Sequence, residues 1–300
     1  MSEPEFDNHS PLLQPPRQFT PPSVGEVITC NNINYYIGTL IGQGAFGAVY
    51  ECTDEWVNRL VAKVLLPQNR PYEQVREEWL SEFQNLLLLR HPNITFLYQA
   101  FEYRDTFYLI VEHCDFALSQ LIGTPGTDGN IWLPYVARDI LHGLDYIHNH
   151  GYVHKDLHPG NVLVSKQYEL MVPTKDPVWS FKIGDLGISR LETDIRLFNT
   201  ILAKWMLPPE FLNPAAFGII GKHIDIYHVG LLLLSLLLNY VPEFSEQDIL
   251  DGRPRQLAES IKSPYAPAIA RALRRHVTAR TPSAVEMWRE ILQSMNNVPS

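Results

Sequence analysis

The stretch His154-Lys155-Asp156-Leu157-His158-Pro159-Gly160-Asn161 follows a helical pattern and precedes an apolar, strand-like run from Val162 to Val164. It reads as a catalytic loop. The Asp156 carboxylate can accept a proton from an attacking hydroxyl, and Asn161, five residues on, can turn its amide oxygen to a divalent cation beside that carboxylate. Base and metal ligand then share one loop, a pairing suited to phosphoryl transfer.

The spelling resembles the catalytic loop of the eukaryotic-type protein kinases, H-R-D-x-x-x-x-N, with Lys155 in the place of the arginine. The same eight residues also resemble the loop of small-molecule phosphotransferases such as the aminoglycoside kinases, so the surrounding chain has to decide between them.

Upstream, a β-rich alternation from Tyr35 to Ile41 leads into Gly42-Gln43-Gly44-Ala45-Phe46-Gly47 and continues as Ala48 to Cys52. Missing side chains in such a turn let backbone N–H groups approach phosphates. A dinucleotide fold would follow this turn with a helix; continuation as a strand favours the kinase-type loop. Lys63 lies inside the apolar run Leu60 to Leu65, sixteen residues after Gly47. Taken alone it could be an edge-strand lysine facing water; the resemblance makes it the lysine that holds the α- and β-phosphates and pairs with a helix glutamate. From Glu73 to Arg90, apolar residues recur at helical spacing. On the resemblance, Glu82 is that glutamate, because it sits nine residues before His91-Pro92-Asn93-Ile94; Glu77 and Glu78 compete. The run Phe107 to Val111, ending in Glu112-His113-Cys114-Asp115, resembles the hinge between two lobes. Cys114 also carries a second reading, as a modifiable thiol at the nucleotide mouth.

Downstream, Ser165 to Trp179 is a polar, proline-containing insert that reads as a long hairpin. Asp185-Leu186-Gly187 resembles D-F-G with leucine for phenylalanine, and Pro208-Pro209-Glu210 resembles A-P-E with proline for alanine. Between them Thr193 and Thr200 are hydroxyls of what the resemblance makes an activation segment. Lys155 weakens the expectation that phosphorylation there acts as a switch, since lysine lacks arginine's bidentate fork. Asp225 to Gly230 resembles the D-x-W-x-x-G start of a central helix whose aspartate braces the catalytic loop, and Arg280 is the late arginine expected to pair with Glu210.

The resemblance runs from Gly42 to Arg280 and implies a two-lobed α+β fold. A small antiparallel sheet with one helix occupies about 27–111, a hinge 112–115, and a mainly helical lobe about 116–295, with a leader at 1–26 and a short tail at 296–300. It implies ATP and Mg²⁺, with Mn²⁺ able to substitute. Nucleotide contacts fall to Ile41, Gly42, Gly44, Gly47, Val49, Val61, Lys63, Glu82, Val111, Glu112, Cys114 and Leu163. Metal ligation falls to Asn161 and Asp185, and chemistry to Asp156, Lys63, Asn161 and His158. His158 stands where serine/threonine kinases usually place a lysine near the transferring phosphate. An unperturbed imidazole, with a pKa of about 6.5, is mostly neutral at pH 7. The expected activity is transfer to a protein hydroxyl, serine or threonine ahead of tyrosine. A pseudokinase scaffold, motivated by Lys155, His158, Leu186 and Pro208, and a small-molecule kinase are the alternatives.

Composition bounds the rest. Three hundred residues at 45% apolar supply ample core, and a formal charge of −9 opposes a nucleic-acid partner. Three cysteines in no metal-binding spacing point to a reducing, cytoplasmic setting. The N-terminus lacks the basic flank and apolar stretch of a signal peptide. The run Gly230 to Leu238 is far shorter than the ~20 residues of a membrane span. Six prolines between Pro4 and Pro22 describe an unpacked, solvated leader available for regulatory contacts, with Ser10-Pro11 and Thr20-Pro21 as candidate phosphorylation dipeptides.

Overall fold

Alternating inward and outward side chains build the first part of the chain into an antiparallel sheet. The computed structural model describes residues 17–44, 47–67, 69–167, 176–186, 190–191 (backbone alone) and 206–296. Strands β1 (Val27–Cys30), β2 (Ile33–Gln43), β3 (Gly47–Thr53) and β4 (Arg59–Leu65) are followed by helix α1 (Tyr72–Leu88), then β5 (Leu97–Tyr103) and β6 (Thr106–Glu112). The sheet order is β1-β2-β3-β4-β6-β5. Phe107, Tyr108, Leu109 and Ile110 of β6 are all fully buried, because this strand is covered on both faces. Tyr108 and Ile110 point into a small core with Ile28, Tyr35, Ile37 and Leu60; Phe107 and Leu109 point toward Val75 and Leu86 of α1 and join the larger core.

After the hinge come β7 (Phe116–Ala117), α2 (Leu118–Leu121), α3 (Gly129–Asn149), β8 (Tyr152–Val153), β9 (Val162–Gln167), β10 (Val178–Ile183) and β11 (Arg190–Leu191). The remaining helices include α4 (Pro209–Leu212), α5 (Pro214–Phe217), α6 (His223–Leu238), α7 (Glu246–Asp251), α8 (Arg253–Ser260), α9 (Ala266–Ala272) and α10 (Ala284–Asn296). Helix α6 is buried without interruption from Ile224 to Leu236, its polar Asp225, His228 and Ser235 included, and packs with α3 and α9. Among the described residues no helix is long and apolar enough to cross a membrane.

Strands β9 and β10 pair antiparallel with Val162 opposite Ile183. Asn161 immediately precedes β9 and Asp185 lies two residues after β10, so this register brings both to one end of the hairpin. The tip of the expected hairpin, residues 168–175, lies outside the described residues, as do Ala45, Phe46, Gly187, Thr193, Thr200 and Ser10. Residues 17–26, expected to be unpacked, are docked: Phe19 joins the larger core and Pro22 is buried.

Candidate active site

Two clusters face one cleft, and the β9–β10 hairpin joins them. In the first, Lys63 Nζ donates to Glu82 Oε1 at 2.6 Å and to Asp185 Oδ1 at 3.0 Å. Strand β4 supplies the lysine, α1 the glutamate and the end of β10 the aspartate. Burial alone would disfavour the ammonium, but the two carboxylates outweigh it and hold the Lys63 pKa above its ordinary value. Glu82 is 5% exposed and is the α1 acid that meets Lys63, whereas Glu78 is taken by Arg70. Asp185 sits at φ +52°, and its side chain remains 49% exposed toward the cleft. Leu186 next to it is fully buried.

In the second cluster, Asn161 Nδ2 donates to the Asp156 carbonyl at 2.9 Å and to Asp156 Oδ2 at 3.2 Å, which leaves the Asn161 amide oxygen for a cation. His158 Nε2 lies 3.8 Å from Asp156 Oδ2, and His158 Nδ1 accepts the Gly160 N–H at 3.0 Å. That acceptor role puts the proton of a neutral imidazole on Nε2, the nitrogen facing Asp156. Burial holds the His158 pKa below its ordinary value, with Asp156 opposing. A Cβ at Gly160 would come within 2.7 Å of the His158 ring, so only glycine admits this packing.

The loop has no regular structure of its own and is fixed from below. Asp225 Oδ2 accepts the His154 N–H at 2.9 Å, and Asp225 Oδ1 accepts the Lys155 N–H at 2.8 Å. This holds Lys155 in the left-handed region at φ +73°, a conformation that costs a non-glycine residue about 1–2 kcal/mol. Burial pushes the Asp225 pKa up, but the 2.8 Å hydrogen bond with His148 Nε2 and neighbouring histidines bring it down on balance. Gly184 links the clusters: its N–H donates to the Asn161 carbonyl at 2.8 Å and its carbonyl lies 3.0 Å from His154 Nε2.

The glycine-rich stretch is described at its two ends, Gly42 to Gly44 and Gly47. Register places Gly42 opposite Val49, and Val49 opposite Lys63. A Cβ on Gly42 or Gly44 would meet no atom within 4 Å, whereas one on Gly47 would lie 2.5 Å from the Val64 carbonyl. Gly47 therefore serves strand packing, and Gly42 and Gly44 leave open space of the kind a phosphate chain fills. Val61 pairs with Val111 across β4 and β6, and Leu163 packs under Gly184. Ile41 is exposed on the rim.

The hinge residues differ in detail from their expected tasks. The Glu112 side chain turns away to an ion pair with Lys182 at 2.9 Å and accepts the Phe96 N–H at 2.7 Å, and its own N–H donates to the Phe96 carbonyl at 2.9 Å, so only its carbonyl is left for a base. Burial, and then Glu112, push the Cys114 thiol up to about 12, which opposes its reading as a reactive thiol. Sequence reasoning passed over Lys182, His148 and Asn85. Asn85 Nδ2 donates to the Leu186 carbonyl at 2.9 Å, and its position three residues after Glu82, on one helix face, was the available signal.

The residues fit Mg²⁺ and a nucleotide. Among the described residues no group of three or more His, Cys, Asp or Glu could hold a metal ion by itself. Mg²⁺ needs no such cage, since it is held by one or two carboxylates together with phosphate and water, and Asp185 with the Asn161 oxygen supplies that donor set.

Comparison with known proteins agrees. A family model described as the protein kinase domain matches residues 35–297. Calcium-dependent protein kinase 24 of Arabidopsis thaliana is 29% identical over 82% of this chain and 41% of its own length. Cyclin-dependent kinase-like 4 of Mus musculus is 27% identical over 66% of this chain and 54% of its own. CBL-interacting serine/threonine-protein kinase 15 of Arabidopsis thaliana is 26% identical over 81% of this chain and 56% of its own. The chain thus spans about half the length of these curated relatives.

Proposed function

Because the chain belongs to the protein kinase domain family, we propose that it transfers the γ-phosphoryl of ATP to a serine or threonine hydroxyl of a protein. The observation that carries this reading is Lys63 held between Glu82 and Asp185, above a loop that presents Asp156 and Asn161 to the same cleft. Lys63 holds the α/β-phosphate oxygens, with Glu82 fixing its direction. Asp156 orients the acceptor hydroxyl and takes its proton. Gly42 and Gly44 let backbone approach the phosphates, and Val49, Val61, Val111 and Leu163 enclose the base against the Glu112 and Cys114 backbone. Bound Mg²⁺, on Asp185 and Asn161, supplies neutralisation of the phosphate charge. This full set of polar groups weighs against a non-catalytic scaffold. The Arg280–Glu210 pair weighs against a small-molecule kinase. The cysteines Cys30, Cys52 and Cys114 are free, which supports a reducing, cytoplasmic setting.

Incubation with Mg-ATP and mixed Ser, Thr and Tyr peptides tests the reading, with the phosphorylated residue identified by mass spectrometry. Phosphoserine or phosphothreonine is expected. Incorporation into no peptide, or into tyrosine alone, would overturn it.

His158 gives a second test. With its pKa below 6.5 it carries a charge only in acid, so above pH 7 the transferring phosphate lacks the cation that a lysine would place there. His158→Lys is expected to raise the rate severalfold at pH 8 and to flatten the pH profile between 6 and 8. An unchanged rate and profile would remove this role.

A further inference from the structure

Residues 17–20 cross the β5–β6 turn as a strap. The Gln18 N–H donates to Asp105 Oδ2 at 3.1 Å, and the Thr20 N–H donates to Thr106 Oγ1 at 2.8 Å. Between these two anchors the chain turns one side chain inward: Phe19 is half-buried while Arg17, Gln18 and Thr20 are exposed. Its ring lies 5.9 Å from that of Tyr72 and 6.2 Å from that of Phe107. Tyr72 and Phe107 are 5.1 Å apart, and Trp79 stacks on Phe107 at 5.2 Å. Arg17 adds a second hold: its guanidinium sits 4.0 Å from the centre of the Tyr72 ring and 3.8 Å from Glu102 Oε1, the oxygen that accepts the Tyr72 hydroxyl at 2.6 Å.

Tyr72 is the first residue of α1, and α1 carries Glu82. The helix begins after Pro71, which offers no side-chain cap to the N–H groups of the first turn. The position of that turn therefore depends on side-chain packing, with Tyr72 against Phe107 and Glu102 and Val75 buried in the larger core. Further along, Trp79 Nε1 donates to the Tyr108 carbonyl at 3.0 Å and Glu82 meets Lys63. Without the strap, Tyr72 keeps Phe107 and Glu102 but loses the ring and the cation supplied by residues 17–19.

We infer that Phe19 is a positioning residue for the reaction: with Arg17 it clamps Tyr72 and so keeps α1 seated where Glu82 reaches Lys63. This rests on the kinase reading of the Lys63–Glu82 pair. A helix released at its first turn spends less time in the seated position, and turnover falls with the seated fraction. Two aromatic contacts of the usual strength correspond to a loss of roughly tenfold. The strap is covalently tied only through a short extended segment, so the same contacts can be restored in trans once a free peptide approaches the effective concentration of the tether, about 1 mM.

The test uses the full chain carrying Phe19→Ala, read by steady-state kinetics and by hydrogen–deuterium exchange over residues 72–88. A roughly tenfold fall in kcat with KM for the protein substrate retained is expected, together with faster exchange in α1 while β4 and β6 stay protected. Phe19→Leu should keep much of the rate, and a synthetic peptide of residues 17–24 should restore activity to Phe19→Ala, whereas the same peptide with alanine at its phenylalanine should not. Wild-type rate and α1 exchange in Phe19→Ala would overturn the inference. So would a rate loss that the peptide leaves unrepaired with exchange rising across the whole sheet, the pattern of a merely structural defect. Absence of any phosphate transfer by the unaltered chain would instead defeat the kinase reading, and the exchange measurement would still decide whether the strap seats α1.

Discussion

Asp156→Ala is expected to lower phosphate transfer by about three orders of magnitude, within the ~10²–10⁴ that a positioned general base contributes. The loss should fall on kcat. The loop around Asp156 is held through backbone N–H groups of His154 and Lys155, bonded to Asp225 at 2.9 and 2.8 Å, and neither bond involves the Asp156 side chain. Asn161 loses one acceptor but keeps the Asp156 carbonyl at 2.9 Å. The metal-facing groups and Lys63 therefore stay in place, and KM for ATP should change little. Asp156→Asn preserves volume and removes only the proton acceptor, so it should be nearly as inactive. Initial rates with a phosphorylated peptide as product, alongside nucleotide-induced thermal shift, separate chemistry from binding. Retention of more than about a tenth of the wild-type rate would show that another group takes the proton.

Arg280→Ala carries the largest expected effect on stability. The guanidinium and the Glu210 carboxylate are both 0% exposed and bonded through two donor–acceptor pairs. Arg280 also donates to the carbonyls of Arg274 at 2.7 Å, His223 at 3.2 Å and Arg275 at 3.1 Å, and its guanidinium lies 4.9 Å from the centre of the Tyr227 ring. Removing it strands a carboxylate and three carbonyls in a dry interior, for which about 3–5 kcal/mol is the usual cost of breaking such a pair. Urea unfolding should show that loss. Arg280→Lys should recover only part of it, because an ammonium cannot form the fork. The double replacement Arg280→Met, Glu210→Met should be milder than Arg280→Ala, since no charge is left buried alone. A loss below about 1 kcal/mol would mean that water reaches Glu210.

Sequence reading went furthest where the chemistry is spelled contiguously. Asp156 and Asn161 share one loop, so local pattern was enough to nominate them, whereas Lys63 and Asp185, each ending or interrupting an apolar run, took their roles from the family resemblance. Glu82 was preferred to Glu77 and Glu78 only because its place nine residues before His91 resembles the family pattern, since Glu78 and Glu82, four apart, share a helix face. The misses share a different cause. Lys182 meets Glu112 across 70 residues, and His148 meets Asp225 across 77; such contacts follow from strand register and helix packing, which no local periodicity encodes. Phe19 was hidden by its surroundings. An isolated aromatic among prolines has no period, and the composition of a solvated leader masked the ring that packs on Tyr72 and Phe107.

Helix α6 offers a last consequence. Its residues from Ile224 to Leu236 are buried without a break, and the one carboxylate in that stretch, Asp225, is spent on the backbone of His154 and Lys155. The irregular loop and the greasiest helix of the chain are therefore a single mechanical body. Leucines of α6 that never approach the cleft belong to the precision of the reaction as much as to the stability of the lobe, and the helix and the loop are bound to vary together as the chain evolves.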